Sequence, residues 1–311
     1  MFQKDLTSEI IGSVFMNSRI FLWQSGVIWH IMKLYLRVGN DSPQFIQRSK
    51  TVLVNFIKIL GVPVACATYD SALERIKELA REPRPTAVCP ANTHILAEAC
   101  HNPDFAQLLA KFNLVLPDGM PVVWALNHRG ANLSTRVYGP YLMRHALQNT
   151  PRPWRHFFFG DTEACLADLR RVAAQLQPGV EIVGAISPPF RPLTEEDETL
   201  FAQTINQAAP DFVWVALPGV RMERWIIENQ ARYRRGVFLA VGDAFTLLTG
   251  RRRFAPAWMQ RLGLTWVFRL GTEPRRLAAR YFKYHFLFLF YLLWDGLRGG
   301  MRANQRDDGI I

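Results

Sequence analysis

Pro117-Asp118-Gly119-Met120-Pro121 follows a short apolar run, Leu114 to Leu116, and so sets a carboxylate beside a glycine at the end of a candidate strand. A carboxyl group in a poorly solvated crevice has its pKa raised toward neutrality, where it can serve as a general base, and the adjacent glycine lets a substrate come close. Asp-Gly is also an ordinary turn dipeptide, so base and plain turn both remain open on local sequence. A second junction, Pro90-Ala91-Asn92-Thr93-His94, precedes an apolar helical pattern from Ile95. Asn92 or Thr93 can cap that helix, and its free N–H groups with the positive dipole end can hold a phosphate. At Phe159-Gly160-Asp161-Thr162, Gly160 would permit a nucleotide to approach the backbone. Arg136 is a lone cation in Ser134 to Gly139; its guanidinium suits either a diphosphate or a solvated surface.

These residues need strands to carry them. Short β-rich runs occur at Thr86 to Cys89, Leu114 to Leu116, His156 to Phe159, Glu181 to Ile186, Phe212 to Leu217 and Val237 to Val241. Between them, Ser71 to Arg81, Asp161 to Gln175, Thr194 to Ala208 and Glu223 to Arg235 have helical spacing. The alternation predicts an α/β fold, a mostly parallel sheet with helices on both faces, in which ligands sit at the carboxyl ends of strands. No GxGxxG follows a strand and no GxxxxGK[ST] occurs, which disfavours classical dinucleotide binding and P-loop phosphoryl transfer.

The 311 residues, 49% of them hydrophobic, can bury a sizeable core, and a net charge of +11 calls for an anionic partner: phosphate, nucleic acid or acidic lipid. Cys66, Cys89, Cys100 and Cys165 form no CxxC pair and no metal-ligand pattern, so they are expected as reduced core residues, with no metal site. The start of the chain lacks a secretory signal pattern, which predicts a cytoplasmic location. Three segments follow: 1–50, an apolar and amphipathic extension ending in a polar linker; 51–250, the α/β core; and 251–311, a basic, aromatic and helical appendage. Ile10 to Val38 and Phe286 to Trp294 are apolar and aromatic, but neither gives the clean span of about 20 residues that a bilayer crossing needs. Both suit interfacial helices; for Phe286 to Trp294 a core helix or subunit contact is the alternative.

From about Thr51 to Tyr281 the chain resembles the WecG/TagA/CpsF glycosyltransferases. The resemblance runs in order through Leu60-Gly61-Val62-Pro63, the Asn92 segment, Leu116-Pro117-Asp118-Gly119, Arg136-Val137-Tyr138-Gly139, Phe158-Phe159-Gly160, Glu223-Arg224-Trp225, Val241-Gly242 with Phe245, Ala255-Pro256-Ala257-Trp258 and Gly263 to Tyr281. It implies a Rossmann-like fold, a UDP-linked sugar donor, a polyprenyl-diphosphate-linked acceptor, and inversion at the anomeric carbon with neither cofactor nor required metal. It assigns Asp118 as base, Arg136 to the diphosphate leaving group, and Asn92, Thr93, Gly119, Gly160, Met222 and Glu223 to substrate. Arg269, Arg276 and Arg280 would meet lipid headgroups or the substrate diphosphate. Pro90 stands where the family often has Thr, Met222 where a polar Gln touches substrate, and Thr246 and Thr265 where many members carry Asp and Glu; these departures bear on the donor.

The resemblance therefore places a peripheral enzyme on the inner face of the cell membrane, working in exopolysaccharide, O-antigen or other cell-surface glycan synthesis, with a homo-oligomer left open. A catalytically weakened scaffold subunit is the rival suggested by Pro90 and Met222. A nucleic-acid binder would account for the interleaved Arg, Trp and Phe after Arg251, but no recognised RNA or DNA module accompanies them, and nucleic acid is not expected as a partner.

Overall fold

Each predicted strand run is apolar on both sides of the pleat, the pattern of strands covered by helices above and below. In the computed structural model, which describes residues 54–218 and 221–299, these runs form β3 (Thr86–Ala91), β4 (Leu114–Pro117), β5 (Arg155–Gly160), β6 (Glu181–Ile186), β7 (Phe212–Ala216) and β8 (Val237–Ala240). They pair in the order β4-β3-β8-β7-β5-β6, with every neighbour parallel. Before them, β1 (Phe56–Ile59) and β2 (Val62–Ala65) form a separate antiparallel hairpin.

The connecting helices are α1 (Tyr69–Ala80), α2 (Thr93–His101), α3 (Pro103–Leu109), α4 (Met120–His128), α5 (Gly139–Asn149), α6 (Glu163–Leu176), α7 (Glu195–Ala208) and α8 (Arg221–Asn229). After β8 come α9 (Ala244–Leu248), α10 (Ala257–Arg261), α11 (Thr265–Thr272) and α12 (Pro274–Gly299). Starts are set by side chains that satisfy orphan N–H groups. Thr68 and Thr194 form capping boxes with Ser71 and Asp197, and Thr162 accepts from the Cys165 N–H.

Strand alternation sorts the core into two faces. Val88, Leu116, Phe158, Trp214 and Leu239 pack against α1, α5, α6 and α9; Cys89, Val115, Phe159, Val215 and Phe238 pack against α2, α3, α4, α7 and α8. Polar groups inside the first face are matched. The indole Nε1–H of Trp214 donates to His156 Nδ1 at 3.1 Å, which leaves Nε2 to carry the imidazole proton and meet Thr150 Oγ1 at 3.0 Å. Burial holds His156 down at about 4, so it stays neutral in the folded protein.

β3 pairs with β8 only over Thr86 to Val88, then continues beside β4 to Ala91. Pro90, which has no N–H to give, lies where β8 has already parted from the strand. The chain goes from β3 to β4 at one edge and then crosses to β5 on the far side of β7, so the parting falls at the switch in winding direction, where open α/β sheets leave a crevice.

α12 lies along α2. Tyr284 donates to Glu98 Oε2 at 2.6 Å and Phe288 is buried in the second core. Phe282, Phe286 and Phe290, four residues apart, are 61%, 70% and 50% exposed. The Phe286 to Trp294 stretch thus divides by helical face as far as its side chains are described: Phe288 enters the core while Phe286 and Phe290 face outward. Among the described residues no helix is long and apolar enough to cross a membrane. The 1–50 extension, with Ile10 to Val38, lies outside the described residues, as do the side chains of Arg276 and Arg280. No disulfide joins the cysteines. Cys89 and Cys165 are buried and Cys66 partly so, but Cys100 is exposed, a correction to the expectation of four core thiols: it sits on the outward side of α2.

Candidate active site

The carboxyl ends of β3, β4, β7 and β8 open into one cavity of about 960 Å³. Asn92 and Thr93 line it after β3, Asp118 and Gly119 after β4, Met222 and Glu223 after β7, and Gly242 and Asp243 after β8. The far wall comes from the C-terminal helices, through Thr265, Trp266, Arg269, Tyr281 and His285.

Asp118 is fixed through its backbone. Its N–H donates to Ala91 O at 3.1 Å, and Val137 N–H donates to Pro117 O at 2.8 Å, so the β4 end is held between β3 and the Arg136 segment. Gly119 has φ +122°, a conformation open to glycine and strained for other residues, and it turns the chain directly into α4. The Asp118 carboxyl is raised to about 7. Burial is the main cause and Asp243 adds to it, while Arg136 and Arg269 pull the other way.

Arg136 is buried, with Nη2 donating to Thr265 Oγ1 at 3.0 Å and its guanidinium 4.4 Å from the centre of the Tyr138 ring. Among the described residues no carboxylate pairs with it, so its charge is available to a ligand. Arg269 differs: Asp243 holds it at 2.7 Å, and the same carboxylate oxygen meets Arg252 at 3.3 Å. The Nε of Arg269 is buried without a hydrogen-bond partner among the described residues.

Glu223, in the first turn of α8, is 3% exposed, and its Oε2 has no partner among the described residues. Burial lifts it to about 7, opposed only by its own backbone N–H. Burial pushes the Cys89 thiol up as well, with both Glu223 and Asp118 adding to the shift, so the two carboxyls flank the same end of β3. Met222 is buried, and its sulfur accepts from the Gly242 N–H at 3.3 Å. It contributes an apolar wall. Asn92 caps α2, its Oδ1 accepting from the N–H groups of His94 and Ile95.

Of the residues picked from sequence, Asn92, Thr93, Asp118, Gly119, Arg136, Met222, Glu223 and Arg269 all meet at this cavity. Gly160 is not among its lining residues. A Cβ there would lie 2.2 Å from the Ala216 carbonyl oxygen, so the glycine is demanded by the close approach of β5 to β7, whereas nucleotide approach was the expectation. Sequence reasoning passed over Asp243, although it follows a predicted strand as Asp118 does. It also passed over His285, and gave Tyr281 no role beyond closing the Gly263 to Tyr281 resemblance.

Known proteins bear on this arrangement. A family model described as the glycosyl transferase WecG/TagA/CpsF family matches residues 57–302. Similar proteins include an N-acetylglucosaminyldiphosphoundecaprenol N-acetyl-beta-D-mannosaminyltransferase from Bacillus spizizenii, 29% identical over 190 residues, which are 61% of this chain and 72% of that protein. The protein of the same name from Staphylococcus aureus is 23% identical over 235 residues, 75% of this chain and 89% of its own length.

Proposed function

Because the chain belongs to the WecG/TagA/CpsF glycosyltransferase family, we propose that it transfers a sugar from a UDP-linked donor to a polyprenyl-diphosphate-linked acceptor, inverting the anomeric carbon. N-acetyl-D-mannosamine as donor sugar and undecaprenyl-diphosphate-linked N-acetylglucosamine as acceptor are the substrates we assign, after the names of the similar proteins. The product is an intermediate of a cell-envelope glycan. The observation that carries this reading is Asp118: a carboxyl at about 7, on the cavity wall, beside a guanidinium that no carboxylate pairs with among the described residues.

In the proposed step the acceptor hydroxyl oxygen attacks the anomeric carbon while Asp118 takes its proton. The bond from that carbon to the β-phosphate oxygen breaks, and UDP leaves with the electron pair. Arg136, positioned by Thr265 and Tyr138, meets the charge that develops on the diphosphate, and Arg269 adds a second cation. Glu223, neutral below about pH 7, can donate a hydrogen bond to a donor substituent. Asn92, Thr93 and Gly119 contact the sugar nucleotide, and Met222 meets it by dispersion, its sulfur being already engaged. Gly160 keeps only a structural part.

Residues 51–250 carry the transfer chemistry in this proposal, and 251–311 complete the cavity and hold the enzyme to the inner face of the cell membrane. The exposed Phe282, Phe286 and Phe290 supply an aromatic ridge, and cations including Arg276 and Arg280 add about 1 kcal/mol each near an anionic surface.

The test is release of UDP from UDP-N-acetylmannosamine. It should require the lipid-diphosphate acceptor, and Asp118→Asn should lower kcat at least about a hundredfold with the donor KM little changed. Undiminished turnover by that variant would remove Asp118 from the mechanism.

A further inference from the structure

Arg136 and Met120 line the catalytic cavity and also a second cavity of about 640 Å³. This second space lies between α5, which contributes Tyr141, Arg144 and His145, and α10, which contributes Gln260 and Arg261. Gln260 Nε2 donates to Tyr141 Oη at 3.1 Å and ties the two walls together. Among the described residues no Asp or Glu lines it, while Arg136, Arg144 and Arg261 bring three guanidinium groups. Among the described residues none of the three is held by a carboxylate; nearby, His145 Nε2 lies 3.0 Å from Asp70 Oδ1. Guanidinium groups left uncompensated around a concavity are matched by the oxygens of a phosphate or diphosphate.

Two exposed apolar side chains stand beside Arg261 on the same helix. Trp258, on α10, and Leu262, which caps its end, are spaced by one helical turn and are 54% and 49% exposed. Trp258 is three residues from Arg261, hence its neighbour on the helix surface. A cationic cavity with an exposed aromatic and aliphatic pair beside one of its arginines suits a diphosphate attached to a hydrocarbon chain, whereas a free phosphate has no use for that pair.

Resting on the glycosyl-transfer reading above, we infer that this second cavity receives the diphosphate of the lipid-linked acceptor, on Arg144 and Arg261, and that the hydrocarbon chain leaves along Trp258 and Leu262. The acceptor sugar then points through the junction at Arg136 and Met120 toward Asp118. Donor and acceptor diphosphates are thereby held by different cations, with Arg136 between them.

The experiment measures binding of farnesyl diphosphate, inorganic diphosphate and anionic phosphatidylglycerol vesicles to the full chain and to two variants, Arg144→Ala/Arg261→Ala and Trp258→Ala. The double variant should bind farnesyl diphosphate at least about tenfold more weakly, the scale of one lost charge-assisted hydrogen bond. Trp258→Ala should weaken farnesyl diphosphate and leave inorganic diphosphate unchanged. In turnover the double variant should raise the acceptor KM with donor KM unaltered, and Arg144→Lys/Arg261→Lys should recover part of the loss. Unchanged farnesyl diphosphate affinity in the double variant overturns the inference, as does a loss confined to vesicles, which would make these arginines a membrane-surface patch. Equal binding of inorganic diphosphate, insensitive to Trp258, also overturns it in favour of a free-phosphate site. Transfer that proceeds with an unaltered acceptor KM in the double variant sinks this site alone; wild-type protein that binds as described but transfers nothing sinks the glycosyl-transfer reading alone.

Discussion

Asp118, after β4, and Glu223, after β7, reach the same value near 7 from different surroundings. Glu223 gets there by burial alone, with one carboxylate oxygen unpartnered among the described residues and no cation among the causes of its shift. At Asp118 burial is opposed by Arg136 and Arg269 and reinforced by Asp243, so the result is a balance of charges. A balance responds to ligands. A diphosphate engaging Arg136 weakens the opposition and raises the Asp118 carboxyl further, making it a stronger base once the donor is in place. Glu223 has no such lever and serves as a fixed neutral donor.

Replacing Arg136 breaks the comparison most severely. Arg136→Ala should lower kcat by about 10²- to 10³-fold, the scale for losing one group that stabilises transition-state charge. It should also move the acidic limb of the kcat/KM profile to higher pH, because a cation that lowers Asp118 has gone. In the wild type the limb of kcat should lie above that of kcat/KM, since the first reports the bound enzyme and the second the free one. Arg136→Ala should shrink that separation. A pH–rate series at saturating and at low donor measures all three, and coincident limbs in the wild type would sink the proposed coupling.

The Glu223 side of the comparison is sharpened by stability. Its carboxyl is raised in the folded chain from an ordinary 4.5 to about 7, so the folded state is penalised progressively as pH rises through that interval and carries the full penalty above it. Glu223→Gln should therefore stabilise the protein above pH 7 by up to roughly 3 kcal/mol and leave it unchanged below pH 4. Thermal unfolding at pH 4 and pH 8 reads the difference. A stability gain equal at both would show that the carboxyl is not neutral in the folded state.

How far the sequence foretold this site depends on how local the cause was. The six parallel strands were legible because each is a largely apolar run, five of them buried on both faces and the edge strand β6 half-buried. Asp118 and Asn92 were legible because each follows such a run, while Glu223 was reached only through the family resemblance. The β1–β2 hairpin was not read as strands: it is four residues a side, with Lys58 and Pro63 in the pattern. α5 was missed because its N-cap, Tyr138, makes no capping hydrogen bond. The support of Arg136 by Thr265 spans 129 residues of chain, and no local pattern records it. Gly160 was legible as a constrained glycine, but its constraint is the neighbouring strand. His285, held down at about 4 by burial, reaches the cavity from the helix that carries Phe286 to Trp294, a stretch expected at an interface or in the core.

Asp243 offers the smallest and most discriminating test, because it acts on Asp118 through space and on Arg269 and Arg252 by direct pairing. Asp243→Asn removes a negative charge whose presence raises Asp118, so the acidic limb of kcat/KM should move to lower pH, by under about one unit. The same change releases Arg269, and a freed guanidinium near the base lowers it in the same direction. Looser placement of Arg269 should cost kcat a few-fold, on the scale of one exposed-to-buried ion pair. The Glu223-dependent stability difference between pH 4 and pH 8 should persist undiminished in this background, since Asp243 is not among the causes of the Glu223 shift. A limb that moves upward, or a Glu223 signal that vanishes with Asp243, would mean that the two carboxyls titrate as one coupled pair.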